Sequence, residues 1–357
     1  MILDDKTADN YLKGRGAQFN PHNRFAANSY VKEHVEGIDD WEIEHPKTTF
    51  IIGQSKSIVN KVDSPDVGMA YSLNPYQGCE HGCTYCYARN AHEYWGFSAG
   101  IDFETKIIVK KDAPALFKKF LEKKGWNAET ISLSGNTDCY QPAEREYKIT
   151  RQLLKIALEY KQPIGMITKN SLVLRDLDIL QEMAKLNLCM VYISINSLNE
   201  KLRLVMEPRT TTIKQRLKVV EQLSAAGIPV GVMVAPLVPG LSDHEIPAVL
   251  KTVASAGAIK AGYTIVRLNG AIGPIFEDWL RQNFPDRFDK VWHAIQSCHG
   301  GNVNDSRFGQ RMKGDGNIAQ LINDTFKLHC RLNHLNIKPI ELDHTLFTVP
   351  NDQLKLF

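Results

Sequence analysis

IKQRLKVVEQLSAAGIPVGVMVAPLVPGLSDHEIPAVLKTVASA, residues 213–256, carries a helix, a strand and a second helix in succession. The outer stretches, Ile213 to Ala226 and Asp243 to Ala256, are amphipathic. The middle one, Ile228 to Ala235, is short and rich in β-branched residues. Gly227 follows the first helix at the position where a left-handed residue ends one, and Ser242 or Asp243 stands where an N-cap opens the next. A strand set between two helices predicts a unit of parallel sheet.

The same alternation extends outward from about residue 70 to residue 267. Further strands are expected at Ala70 to Leu73, Thr130 to Ser134, Ile164 to Thr168, Cys189 to Ile195 and Gly262 to Val266. Further helices are expected at Ala113 to Lys124, Glu144 to Tyr160 and Leu172 to Leu186. Six such strands predict an α/β fold, a partial (β/α)6 barrel of the TIM type, in which ligands collect at the C-terminal ends of the strands. The expected organisation is an irregular, partly wrapped N-terminal extension (1–69), a core barrel (70–270) and a helical C-terminal segment (271–357). The last has helices at Ile275 to Asn283, Pro285 to Ser297 and Asn317 to Leu335.

The 357 residues, 43% of them hydrophobic, suit one barrel with flanking segments, and a formal charge of +3 makes no case for nucleic acid or a membrane surface. The opening MILDDKTADN is polar and acidic, unlike a secretory signal. The longest apolar run, Ile228 to Leu241, is too short for a bilayer and is broken by prolines. A cytoplasmic protein without membrane segments is expected. Seven cysteines, three of them within eight residues, read as metal ligands in a reducing compartment and not as a disulfide framework.

Those three lie in NPYQGCEHGCTYCYARN, residues 74–90, just after the first barrel strand. Cys79, Cys83 and Cys86 supply thiolates for three irons of a [4Fe–4S] cubane and leave the fourth iron open. Three buried structural cysteines on one helical face are the bland alternative, but Gly78, Gly82 and the polar Glu80, His81, Thr84 and Arg89 oppose it. Zinc is a second alternative, with His81 or His92 as fourth ligand, although the C-x2-C half that usually closes such a site is missing.

The spacing C-x3-C-x2-C, with Tyr85 directly before its third cysteine, resembles the signature of the radical S-adenosylmethionine (SAM) superfamily. CEHGCTYCYA together with GNTDCYQPAE, ITKNSLVLRD and VYISINSL resembles the spore photoproduct lyase-like branch. SPDVGMAYSLNPYQG and GIPVGVMVAPLVPGLSDHEIP are similar to uncharacterised bacterial members. The resemblance covers roughly residues 12 to 340. It implies a [4Fe–4S] cluster, SAM as a second cofactor, reductive cleavage of SAM to a 5′-deoxyadenosyl radical, and an electron donor such as flavodoxin or ferredoxin. A substrate is not specified, and nucleic acid is one class the branch suggests.

The resemblance also assigns roles. Tyr85 would lie by the SAM adenine. Ser134, Asn136 and Asp138, at the end of the second barrel strand, would meet the methionine part of SAM. Lys169 would pair with its carboxylate, and Ser194 and Asn196 would line the fourth strand end. Arg209 is a candidate for SAM or substrate. Tyr87 matches a tyrosine used near hydrogen transfer in spore photoproduct lyases, with an aromatic wall shielding the cluster as the alternative role. Those lyases also need a cysteine hydrogen donor at the second strand end, where Cys139 is the candidate although the segment reads GNTDC. Capping and solvated roles are the bland readings of Ser134, Asp138, Lys169 and Arg209. Asp102-Phe103-Glu104 reads as a substrate wall or a packed lid, and Cys298-His299 with His329-Cys330 as a weak candidate for a second metal. A DNA-repair lyase and a non-catalytic Fe–S or zinc protein are the alternatives to a radical SAM enzyme on an unknown substrate.

Overall fold

Ten strands and eleven α-helices make up the described residues, 11–26 and 46–350, of the computed structural model. In chain order they begin with β1 (Thr49–Ile52), β2 (Val59–Lys61), β3 (Tyr71–Leu73), β4 (Tyr76–Gln77), α1 (Ile101–Thr105) and β5 (Lys106–Val109). Next come α2 (Ala113–Leu121), β6 (Ile131–Leu133), α3 (Glu144–Tyr147), α4 (Ile149–Glu159), β7 (Ile164–Thr168), α5 (Leu177–Lys185) and β8 (Cys189–Ser194). Then follow α6 (Glu200–Met206), α7 (Ile213–Ala225), β9 (Val230–Leu237), α8 (Ile246–Ser255) and β10 (Lys260–Ile265). The chain closes with α9 (Ile272–Asn283), α10 (Phe288–Ser297) and α11 (Gly316–Leu332).

The larger sheet runs β10-β9-β8-β7-β6-β3-β2, with β2 antiparallel to β3 and every other pair parallel. The six parallel strands are those expected from sequence. Alternate residues of β7, Ile164, Met166 and Thr168, are buried while Gly165 and Ile167 between them are half-buried. β10 and β2 are edges that do not pair with each other, so the barrel stays partial. The segment 299–315 spans that open side. Ile265 and Leu268 donate their N–H groups to the carbonyls of Met312 (2.9 Å) and Val303 (3.0 Å). Gly309 N donates to Asp66 Oδ1 at 2.7 Å, and Arg311 binds Asp66 and Ser64. This segment therefore ties both sheet edges together.

Three local departures from expectation have physical causes. The extension is not wholly irregular: β1 pairs parallel with β5, and β5 antiparallel with β4, as a small second sheet beside the barrel. The helix expected over 144–160 is split at Lys148, which is left-handed (φ 51°), and the Glu144 side chain accepts from Thr150 N (3.0 Å) at the new start. Ser242 and Asp243 turn their side chains back onto the N–H groups of Val238 and Gly240, while Gly227 (φ 77°) ends α7 as anticipated.

Candidate active site

β3 delivers the chain at the C-terminal end of the sheet, where β4 holds it against β5 before the cysteine loop begins. Gly78 (φ 79°) and Gly82 (φ 68°) take left-handed conformations that break any helix, and Cys79, Cys83 and Cys86 come together as free thiols. Cys79 and Cys83 are each 6% exposed. Burial pushes all three thiols upward, Cys83 to about 12, and each lies near another of the set. Metal loading must therefore displace protons from buried sulfur. Among the described residues no group of three His, Cys, Asp or Glu converges on a point that would hold a single ion. A cubane asks for less convergence, because each thiolate takes a different iron. His81 faces Asp138, and His92 is boxed by the Phe97 and Phe103 rings.

The loop is held from beneath by Arg89, which is fully buried. Its Nε donates to the Cys83 carbonyl (2.9 Å), its Nη1 to the carbonyls of Ala99 and Gly100 (3.0 Å each), and its Nη2 to Glu104 Oε1 (2.5 Å). Glu104 in turn accepts the backbone N–H groups of Gly16 (3.0 Å) and Ala17 (2.8 Å). Residues 12–25 thus form a strap across the loop, fastened further by Asn23 Nδ2 to the Glu93 and Phe97 carbonyls and by Ser98 Oγ to the Pro21 carbonyl. A Cβ on Gly16 would stand 1.7 Å from the Gly82 carbonyl oxygen, so only glycine fits there. Phe103 and Glu104 are packed lid and not substrate wall. Sequence reading noted Arg89 only as too polar for a core stripe and missed its pairing with Glu104 fifteen residues on.

Around the loop stand the ends of β6, β7 and β8. Asp138 accepts from Thr168 Oγ1 (2.8 Å), Lys169 N (2.9 Å) and Tyr140 N (2.9 Å), and His81 Nδ1 lies 3.4 Å away. Burial alone would raise its carboxyl, but His81 and these N–H donors hold it at about 2. Ser134 accepts from Cys139 N (2.7 Å), and Asn136 binds Asn74 and Gln77. Half-buried Lys169 loses basicity to burial but is held above its ordinary value by Cys83, Glu207 and Asp138. Its ammonium lies 6.0 Å from the Tyr85 ring centroid. Glu207, the hydrogen-bond acceptor of Tyr85 Oη, is locked by Arg216 at 2.6 Å, and Arg216 also donates to the Ser194 carbonyl (2.9 Å).

Ser194 and Asn196 are 2% and 3% exposed at the β8 end, and Asn196 Nδ2 has no partner among the described residues. Tyr87, 53% exposed, donates to the Gly135 carbonyl at 2.7 Å and so stands at the mouth of the barrel. One candidate stands apart: Cys139 is wholly buried in the main core with Tyr76 and Ile149. Arg209 meets the cysteine loop, its N–H donating to the His81 carbonyl (3.2 Å) and its guanidinium 3.8 Å from Glu80. Cys298 and Cys330 are also buried in that core, and the His299 ring bonds the Val266 carbonyl (2.8 Å).

Comparisons with known proteins agree with this geometry. The family model described as the radical SAM superfamily matches residues 73–253. An uncharacterised protein of Mycobacterium tuberculosis is 34% identical over 234 residues, 65% of this chain and 69% of its own. An uncharacterised protein of Methanocaldococcus jannaschii is 27% identical over 239 residues, 67% and 85% of the two chains. The solved structure of spore photoproduct lyase complexed with dinucleoside spore photoproduct shares the fold. Its TM-score is 0.60 at 17% identity, covering 84% of this chain and 85% of that one. The superfamily match implies a [4Fe–4S] cluster and SAM, and the three thiols, the facing lysine and the unpartnered Asn196 amide suit them. Among the described residues no helix is long and apolar enough to cross a membrane. The chain belongs to the radical SAM superfamily and is a radical SAM enzyme.

Proposed function

We propose that Cys79, Cys83 and Cys86 hold the cluster and that the polar strand ends around them hold SAM, with Tyr87 facing the substrate. The single observation that carries this reading is the set of three clustered thiols, two buried and Cys86 half-buried, at the C-terminal end of a partial parallel barrel, with Lys169 near two of them. When bound, the cluster and SAM supply a one-electron cleavage of a carbon–sulfur bond that yields a hydrogen-abstracting 5′-deoxyadenosyl radical.

The chain's own residues position and enclose that chemistry. Lys169 offers its ammonium to a carboxylate, and Asn196 Nδ2 offers an unspent donor at the β8 end. Asp138 acts by orienting: its bonds to Thr168, Lys169 N and His81 lock the β6 and β7 ends to the cysteine loop. Ser134 and Asn136 shape the β6 turn in the same way, while Tyr85, anchored through Glu207 and Arg216, fixes the loop against β8. The strap and Arg89 exclude water from the outer side.

Tyr87, its hydroxyl held on the Gly135 carbonyl, forms the aromatic wall of the substrate side in this reading. All four cysteines outside the loop are buried, Cys139 completely, so none presents a thiol at the mouth. Repair of a thymine-type lesion in DNA is therefore a weaker reading than turnover of another substrate. An electron donor of the flavodoxin or ferredoxin kind and a cytoplasmic setting complete the proposal. The test is low-temperature electron paramagnetic resonance of anaerobic, dithionite-reduced protein with and without SAM. A [4Fe–4S] signal that changes on adding SAM is expected, and a signal indifferent to SAM would overturn the reading.

A further inference from the structure

The last barrel strand, β10, runs on into Val266-Arg267-Leu268-Asn269, at the same end of the sheet as the cysteine loop and at the edge farthest from β2. Asn90, three residues beyond Tyr87, ties this strand end to the mouth. Its Nδ2 donates to the Asn269 carbonyl (2.9 Å) and its Oδ1 accepts from Ala271 N (3.1 Å). Arg267 is half-buried here, where the segment 299–315 closes the open side of the barrel.

Three guanidiniums gather at this place, and one of them is unspent. Arg307 is paired with Asp305 at 2.6 Å, and Arg311 with Asp66. Arg267 lies near enough to feel Arg311, Asp66 and Asp305, yet it has no ion pair among the described residues. Its Nη1 makes a long 3.5 Å contact to the Asp305 backbone carbonyl, and its Nε and Nη2 have no partner among the described residues. A half-buried guanidinium with open donors at the rim of a substrate mouth calls for an oxyanion.

A second group narrows the choice. His299, close to Arg267 and Asp305, is 2% exposed and donates through Nε2 to the Val266 carbonyl (2.8 Å). Burial lowers its basicity, so Nδ1 carries a lone pair, and that buried atom has no partner. An acceptor beside an unspent guanidinium suits a ligand that brings a hydrogen donor next to its negative oxygens. Asp66 and Asp305, 7% and 6% exposed, lie beside the same space. The extra oxygens of a phosphate would meet their carboxylates, whereas a carboxylate spends both of its oxygens on one guanidinium fork.

We propose that Arg267 receives a carboxylate of the substrate, and that a hydroxyl or ammonium next to that carboxylate donates to His299 Nδ1. The substrate class is then a hydroxy or amino carboxylic acid. The inference rests on the radical SAM reading, which puts the substrate at this mouth.

Modification of arginines by phenylglyoxal, mapped by mass spectrometry on the iron-loaded enzyme, reads Arg267 directly, with glycolate as the probe at fixed ionic strength. Glycolate should slow modification of Arg267 about threefold relative to chloride, acetate less, and phosphate no more than chloride, while exposed Arg145 keeps its rate. Glycolate should also raise the melting temperature of the wild type above that in chloride, an increment that Arg267→Lys keeps in part and Arg267→Gln loses. Protection by chloride equal to that by glycolate, or stronger protection by phosphate, would overturn the proposal, and acetate matching glycolate would strike His299 from it. An Arg267 indifferent to glycolate, in enzyme whose paramagnetic signal responds to SAM, overturns this inference alone. A signal indifferent to SAM overturns the functional reading and the substrate role with it.

Discussion

Replacing Arg89 by Met removes the guanidinium that joins the cysteine loop to the strap. The side chain is fully buried and serves the carbonyls of Cys83, Ala99 and Gly100 as well as Glu104. Methionine fills similar volume but donates nothing, so three carbonyls and one buried carboxylate lose a partner. Breaking a buried ion pair from one side costs about 3–5 kcal/mol. The carbonyls add to this only in part, because the loop relaxes and water enters, so about 4 kcal/mol is expected. In a chain of 357 residues that corresponds to a melting temperature lower by about 5 °C. Glu104→Gln should cost less, about 2 kcal/mol, because an amide oxygen still accepts from Gly16 and Ala17. The double variant Arg89→Met/Glu104→Gln should recover at least 1 kcal/mol of the summed cost, since no buried charge is then left alone. Anaerobic urea unfolding of the metal-free protein, followed by tryptophan fluorescence, measures all three. Costs under 1 kcal/mol for Arg89→Met, or strict additivity in the double variant, would refute the claim that this pair holds loop and strap together.

Other outcomes follow from the same geometry. Cys83→Ala should lose the iron and all SAM cleavage while Cys298→Ala keeps both, read by iron assay and by release of 5′-deoxyadenosine; full iron in Cys83→Ala would end the ligand assignment. Lys169→Met should keep its iron yet bind SAM at least tenfold more weakly by equilibrium dialysis, and loss of iron would mark the lysine as structural. Gly16→Ala places a methyl group against the Gly82 carbonyl, so the strap should detach and become cleavable by trypsin at Lys13 and Arg15 under native conditions. His92, buried between Phe97 and Phe103, is pulled from 6.5 to about 4 chiefly by burial. Its neutral form is the one that folds, so its contribution is complete above pH 6.5 and declines as pH falls toward 4, by up to about 3 kcal/mol. Urea midpoints across that range should flatten in His92→Phe, and an unchanged slope would assign the acid sensitivity to other groups.

The alternation of apolar strands and amphipathic helices was readable because the barrel strands are short and largely buried, β7 alternating buried with half-buried residues, and the helices bury one face, so burial writes its pattern into the residues. The cysteine spacing was readable because ligand chemistry restricts residue type. What escaped the reading depends on distance along the chain. β1 and β2 are four and three residues long with exposed ends, too short to show a period. Arg89 and Glu104 look like any surface pair until the fold buries both. Which way Cys139 faces is set by the turn at Ser134 (φ 70°) and by the bond from Cys139 N to the Ser134 hydroxyl, neither of which the letters GNTDC disclose. Arg209 was named for the right neighbourhood, but nothing in MEPRTTT tells which side of the loop it will occupy.

The strap bears on how the protein matures. With Cys79 and Cys83 each 6% exposed and Cys86 half-buried, the loop crossed by residues 12–25 is nearly closed. Opening of the Glu104 clasp is a local unfolding whose frequency is set by a few hydrogen bonds and not by the stability of the barrel. A clasp that shuts over a loaded loop would make the loading hard to reverse.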